Sequence, residues 1–156
     1  MGKKDNIKKR FRSRSEHTLD DKGRLNFPSR FREAIRSYDS DVLMITTWGE
    51  HLRAYPLAEW EELEDKLFDQ GQEQPGMVKF LRQVVSGITE CSLDKQGRLL
   101  IPVSLRSELN IDKEVVLTGM RTWVEIWEKD AWLVEKQTTR DDFESYEERL
   151  AKMRIF

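Results

Sequence analysis

Hydrophobic positions fall into short blocks along this chain, and their period changes from block to block. Leu25 and Phe27 alternate with polar neighbours, as do Leu99 and Ile101, so each pair predicts a strand with those residues facing inward. Stronger strands are predicted over Val42 to Thr47 and Val115 to Gly119, followed by Leu52 to Tyr55 and Trp123 to Trp127. Thr18-Leu19 and Ile88 to Leu93 predict the strand that opens each series. Elsewhere the spacing is helical. Phe31, Ala34 and Ile35, and later Leu105 and Leu109, mark short helices, with Pro28 and Pro102 suited to the first helical position. Leu57, Trp60, Leu63, Leu67 and Phe68 mark one longer amphipathic face, and Met77, Phe80, Leu81, Val84 and Val85 another. The second is opened by Pro75-Gly76 and closed by Gly87, and Gln70 to Gly76 reads as a linker. Thr139-x-x-Asp142 predicts a capped start for a last helix carrying Phe143, Tyr146, Leu150 and Met153.

This order of elements occurs twice. Leu19-Asp20-Asp21-Lys22-Gly23-Arg24-Leu25-Asn26-Phe27-Pro28 lies without a gap over Leu93-Asp94-Lys95-Gln96-Gly97-Arg98-Leu99-Leu100-Ile101-Pro102, and Arg32 falls on Arg106. Further on, Val42 to Ile45 answers Val115 to Thr118. Two copies are too few for a solenoid, where several repeats stack to share a core. They suit a pseudo-twofold unit in which each half completes the other. The expectation is an α+β fold of two tandem β-hairpin repeats, with the strands curled into a small barrel and helices outside. Its divisions are residues 1–10 as a flexible leader, 11–86 as the first repeat and 87–156 as the second.

Charge changes the picture at the N-terminus. The 156 residues carry a net charge of -2, yet residues 1–14 hold seven Lys or Arg against Asp5 alone. A basic arm therefore sits on an acidic body. It reads either as a solvated leader or as a contact for phosphates. The single Cys91 excludes a disulfide framework and a Cys-based zinc site, and His17 and His51 leave little for a His-rich one, so no metal or cofactor is expected. No apolar run is long enough to span a membrane, and no apolar stretch follows the basic start, so a soluble protein of a reducing compartment is expected.

The repeated Asp-x-x-Gly-Arg element is the candidate site: Asp20, Gly23 and Arg24 in one copy, Asp94, Gly97 and Arg98 in the other. Gly supplies the positive φ of a tight turn. The Asp has two readings, as a staple of the turn or as a functional group. The Arg projects a planar fork that matches both phosphate and the O6/N7 edge of guanine. Lys22, Lys95, Arg12 and Arg14 would add backbone contacts that position without specifying. Arg30, Arg32 and Arg106 fit the same role or ion pairs with surface acids.

From Phe11 to Arg32, and again from Asp94 to Arg98, the chain resembles the bacterial MraZ family of the AbrB-like, swapped-hairpin superfamily. The likeness extends over about residues 11–150. It implies a cytoplasmic, nucleoid-associated regulator of transcription that acts on the division and cell-wall gene cluster. It also implies homo-oligomeric rings, commonly octameric, that bind short G-rich direct repeats in double-stranded DNA. The family's loop arginine falls on Arg24, its neighbouring lysine on Lys22, and the second-copy arginine on Arg98. The chain departs from the family in its longer basic leader and in Gln96, which stands where the first copy has Lys22. The second loop is thus open to a DNA contact, to a role in ring assembly or to one in turn structure.

Two other function classes compete with this one. An enzyme would need a base with an orienting partner, and neither His17 with the Asp20-Asp21 pair nor Cys91 offers an evident one. No phosphate-binding glycine loop appears, so no catalytic residue and no small-molecule substrate is expected. A scaffold acting through protein partners, or an antitoxin of the same superfamily, is the alternative. The doubled motif and the short end, Leu150 to Phe156, set this chain apart from single-motif antitoxins with a long tail.

Overall fold

The computed structural model describes residues 9–156; the leader before Lys9 lies outside them. The first half contains β1 (Arg14–Thr18), β2 (Arg24–Asn26), α1 (Ser29–Arg36), β3 (Val42–Trp48), β4 (His51–Pro56) and α2 (Leu57–Lys66). A single π-helical turn, Leu67–Gly71, follows α2. After it come α3 (Met77–Ser86), β5 (Thr89–Ser92), β6 (Arg98–Leu100), α4 (Val103–Glu108), β7 (Glu114–Gly119), β8 (Val124–Glu128) and α5 (Lys129–Lys152). The mixed α+β class expected from the sequence is the one observed.

Six strands form one antiparallel sheet in the order β1-β7-β8-β4-β3-β5, while β2 and β6 form a separate two-stranded ribbon. Each half thus lends its first strand to the other, β1 pairing with β7 and β5 with β3. The order is symmetric about the β4–β8 seam, where Arg53 faces Glu125. The ribbon obeys the same pseudo-dyad, which passes between Leu25 and Leu99. Here the structure corrects the expected closed barrel. Because β2 and β6 pair with each other, β1 and β5 remain the two ends of an open sheet.

One core joins ribbon, sheet and helices. Leu25 and Leu99 of the ribbon strands, and Phe27 and Ile101 just after them, are at most 2% exposed and pack with Leu43, Leu52 and Ile126 of the sheet. This follows from the period-two alternation of a half-buried strand. In α1 the residues Phe31, Ala34 and Ile35 are buried at helical spacing, and Phe31 meets Phe11 edge to face. A second cluster lies between α2, α3 and the sheet, built on Tyr55, Trp60 and Val84.

Three local expectations need correction. Pro28 and Pro102 cap their helices rather than begin them. Their ψ values are 143° and 145°, so they are extended, and their carbonyls accept the first helical N–H groups. The last helix does not start at Thr139 but runs unbroken from Lys129, with Glu128 accepting from the backbone of Asp130 and Ala131. Thr139 instead donates back to the carbonyl of Glu135, a bond that satisfies a Thr inside a helix. The opening strand is Arg14–Thr18, which has no apolar side chain and so gave no hydrophobic signal.

Candidate nucleic-acid interface

Each ribbon strand begins at a tight turn, and the two turns are built bond for bond alike. Asp20 accepts from the backbone N–H of Lys22 (3.0 Å) and Arg24 (2.9 Å), and its other oxygen accepts from Arg24 Nε at 2.7 Å. Asp94 does the same with Gln96 (2.9 Å), Arg98 (2.8 Å) and Arg98 Nε (2.8 Å). Gly23 and Gly97 adopt φ of 87° and 77°, the left-handed conformation that lets the chain reverse. Bonding from the Arg24 backbone, helped by its side chain and Lys22, holds the Asp20 carboxyl down to about 2. The Asp94 carboxyl is lowered for the corresponding reason, through Arg98 and Gln96.

The Asp therefore staples the turn and also aims the Arg. Only Nε of each guanidinium is bound to the Asp, which leaves the Nη edge for a second bidentate partner. Pinning removes in advance part of the roughly 2 kcal/mol of rotamer freedom an Arg carries. Arg24 and Arg98 side chains are 27% and 29% exposed, and the Lys22 and Lys95 side chains lie in solvent beside them.

The turns are also tied to each other. Phe27 donates to the Gly97 carbonyl and Ile101 to the Gly23 carbonyl, both at 3.0 Å. Arg106 lies against Gly23, and Arg32 lies against Gly97, each reaching from the opposite half. Arg106 Nε also donates to the Ile101 carbonyl at 2.9 Å, whereas Arg32 Nε is buried with no hydrogen-bond partner among the described residues. These two arginines thus support the turns rather than stand apart as surface cations. Sequence reasoning assigned them to phosphates or acids because a contact with a glycine backbone leaves no mark in the local pattern.

Arg12 and Arg14 do not join this cluster. Arg14 opens β1 while Thr18, which leads into the turn, closes it, a separation of about 13 Å along the strand. The Arg14 guanidinium stacks over Trp132 at 5.4 Å, and Arg12 lines a cleft with Met120, Arg121 and Trp123. Arg30 is exposed on α1. Of the leader, Lys9 lies 3.5 Å from Glu33, while Met1 to Lys8 fall outside the described residues.

A second polar constellation, absent from the sequence reading, occupies the β4–β8 seam. Glu125 accepts from Thr118 (3.2 Å), Trp127 Nε1 (3.0 Å) and Trp123 Nε1 (3.4 Å), and lies 3.3 Å from His51 Nε2. Burial pushes the Glu125 carboxyl up, but bonding from His51 and the two indoles prevails and holds it at about 2. Arg53 is sandwiched between Trp48 (4.1 Å) and Trp123 (4.8 Å). The residues converge from both repeats, so only the pairing register reveals the cluster.

The remaining chemical candidates are accounted for by packing. Cys91 is buried in β5, where burial and then Glu90 push its thiol up to about 11. His17 Nε2 is bonded to Ser15 at 2.7 Å. Among the described residues no three His, Cys, Asp or Glu are grouped to hold a metal ion, and no helix is long and apolar enough to cross a membrane.

Comparison with known proteins agrees with the duplicated turns. The family model of the MraZ protein matches twice, over residues 11–82 and 84–154. A protein of Syntrophobacter fumaroxidans named "Transcriptional regulator MraZ" is 43% identical over 141 residues, which cover 90% of this chain and 94% of that protein. Proteins of the same name from Desulfitobacterium hafniense (strain DSM 10664 / DCB-2) and Moorella thermoacetica are 42% and 40% identical, covering 89% and 93% of this chain and 95% and 99% of theirs. With both halves matched and relatives aligned over nearly their whole length, the chain belongs to the MraZ family.

Proposed function

We propose that this protein is a DNA-binding regulator of transcription, as its relatives' name suggests, and that the β2–β6 ribbon is its reading head. One observation carries this reading: two partly exposed arginines of one outward face, each pinned at Nε by its own turn aspartate, which leaves the Nη edge unbound by it. A two-stranded ribbon fits the major groove of B-form DNA, where an Arg fork pairs with guanine O6 and N7. Arg24 and Arg98 accordingly read guanines, and Lys22 and Lys95 take flanking phosphates. The basic leader, together with Arg12 and Arg14, supplies further phosphate contacts at a distance from the ribbon.

The reading extends to assembly. Phe143, Tyr146 and Leu150 of α5, with Met153 just past its end, leave a stripe 39–68% exposed, apolar surface suited to a subunit contact. Copies closing into a ring, octameric in the form the resemblance implies, would array identical ribbons against tandem G-rich boxes, and each weak contact would raise the effective concentration of the next. In this arrangement the units are the leader, residues 1–10, and two repeats, 11–86 and 87–156.

The test is Arg24→Ala in a mobility-shift titration on the upstream DNA of the protein's own gene cluster. Specific binding is expected to be lost while light scattering still shows the assembled particle. Unchanged affinity refutes the assignment, and a wild-type monomer at micromolar concentration refutes the ring.

A further inference from the structure

The outward face of the ribbon holds more than arginines. Leu25 and Leu99 point into the core, so Arg24, Asn26, Arg98 and Leu100 share the opposite face. The pairing sets Arg24 beside Leu100 at one end and Asn26 beside Arg98 at the other. The pseudo-dyad carries Arg24 onto Arg98 and Asn26 onto Leu100. The arginines are thus the symmetric part of the face, and positions 26 and 100 are where it is broken.

Neither residue has a structural reason to be what it is. Asn26 is exposed, with no side-chain hydrogen bond among the described residues. Leu100 is 47% exposed on a surface otherwise made of arginine and amide, and it contributes nothing to the core cluster. Their chemistry suits base edges. An amide pairs bidentately with adenine N6 and N7, and an apolar side chain packs on the thymine methyl. Alternate strand residues lie about 6.6 Å apart, so the partners of Arg24 and Asn26 fall within about two base pairs of each other.

Resting on the DNA-binding role proposed above, we infer that Asn26 and Leu100 are specificity-determining residues that give the bound sequence a direction. Two identical tips about a dyad read an element that is the same from both ends. Here one end offers an arginine and an amide from its two strands, and the other an arginine and a methyl-bearing side chain. The two orientations of a duplex on the ribbon are then unequal. The unit selects a guanine beside an adenine read by Asn26 at one end and a guanine beside a thymine methyl packed by Leu100 at the other.

A randomised duplex library, selected on the full-length protein and sequenced, tests this. The wild type is expected to enrich asymmetric sites of that kind. Asn26→Ala is expected to flatten the preference at the A·T pair by roughly 5- to 150-fold, the discrimination of one bidentate base contact. Leu100→Asn, which restores the dyad at the position where Leu is least needed for folding, is expected to shift selection toward sites with adenine at both ends. Enrichment of the same sequences by wild type and Asn26→Ala overturns the proposal, as does wild-type enrichment of palindromes. If the wild type enriches nothing and Arg24→Ala behaves identically, the DNA-binding reading itself falls, and the two failures are told apart.

Discussion

The β2–β6 ribbon and the β4–β8 seam both straddle the same pseudo-dyad, yet they use it in opposite ways. At the ribbon, the turn bonding is repeated with distances that agree within about 0.1 Å, and Leu25 meets its own counterpart Leu99. At the seam, the equivalent positions hold Arg53 and Glu125, facing each other. A true twofold axis would force like against like there, either two cations or two carboxylates. A duplicated chain escapes that constraint and places opposite charges on the axis. On the DNA-reading role proposed for it, the ribbon retains what that role requires twice, and the seam diverges where self-pairing would be costly.

The sharpest way to break this contrast is to make the seam symmetric again. Glu125→Arg sets cation against cation and strips Thr118, Trp123 and Trp127 of their acceptor, so a loss of roughly 3–5 kcal/mol is expected in urea unfolding. The charge reversal Arg53→Glu with Glu125→Arg is expected to recover part of it. An unchanged midpoint for the single variant means the carboxylate is not holding the seam.

Next in size is the ribbon turn. In Gly23→Ala the new Cβ would stand 2.6 Å from Arg106 Cζ at a φ of 87°. A cost of roughly 1–3 kcal/mol follows from the left-handed backbone alone, measured by thermal unfolding. Because Arg106 reaches over from the other half, DNA affinity is expected to fall as well. Stability lost with affinity intact would show that the two turns are not mechanically joined.

Acid distinguishes the regions more gently. Asp20 and Glu125 both titrate at about 2 in the folded chain, below their ordinary values of 3.8 and 4.5. Carboxyls depressed on folding stabilise above their unfolded values, and that contribution drains away as pH falls from those values toward 2. Both regions are therefore expected to hold at pH 5. Below it the seam should loosen first, because Glu125 has the higher unfolded value. Tryptophan fluorescence follows the seam, and exchange of the Arg24 amide follows the turn. Loosening of the turn before the seam contradicts this order.

The smallest expected effect lies outside both. Phe143 is 60% exposed, so Phe143→Ser is expected to change the unfolding free energy by no more than about 0.5 kcal/mol. It is nevertheless expected to lower the assembled mass in light scattering. An unaltered mass would remove α5 from the subunit contact.

What the sequence revealed tracks how local each cause is. The turns, the inward Leu25, Phe27, Leu99 and Ile101, and the helix carrying Phe31 were legible because their signals lie within a few residues. Strand β1 was not, since Arg-Ser-Glu-His-Thr has no apolar member and is held by main-chain pairing with β7. The open sheet was missed because hydrophobic period says which residues are inside but not which strands are neighbours. The support of Gly23 by Arg106 and the convergence on Glu125 both join residues from different repeats. Each became visible only with the register of the whole sheet.

The exchange of first strands has a temporal meaning as well. Arg14 finds its partner at Thr118, so a ribosome that has released only the front portion has produced an unfinished edge rather than a folded piece. Closure must await late synthesis, and the long separation between partners makes it slow. During that interval β1 is exposed to any neighbouring nascent copy that presents a β7, and a crowded polysome would favour exchange between chains over closure within one.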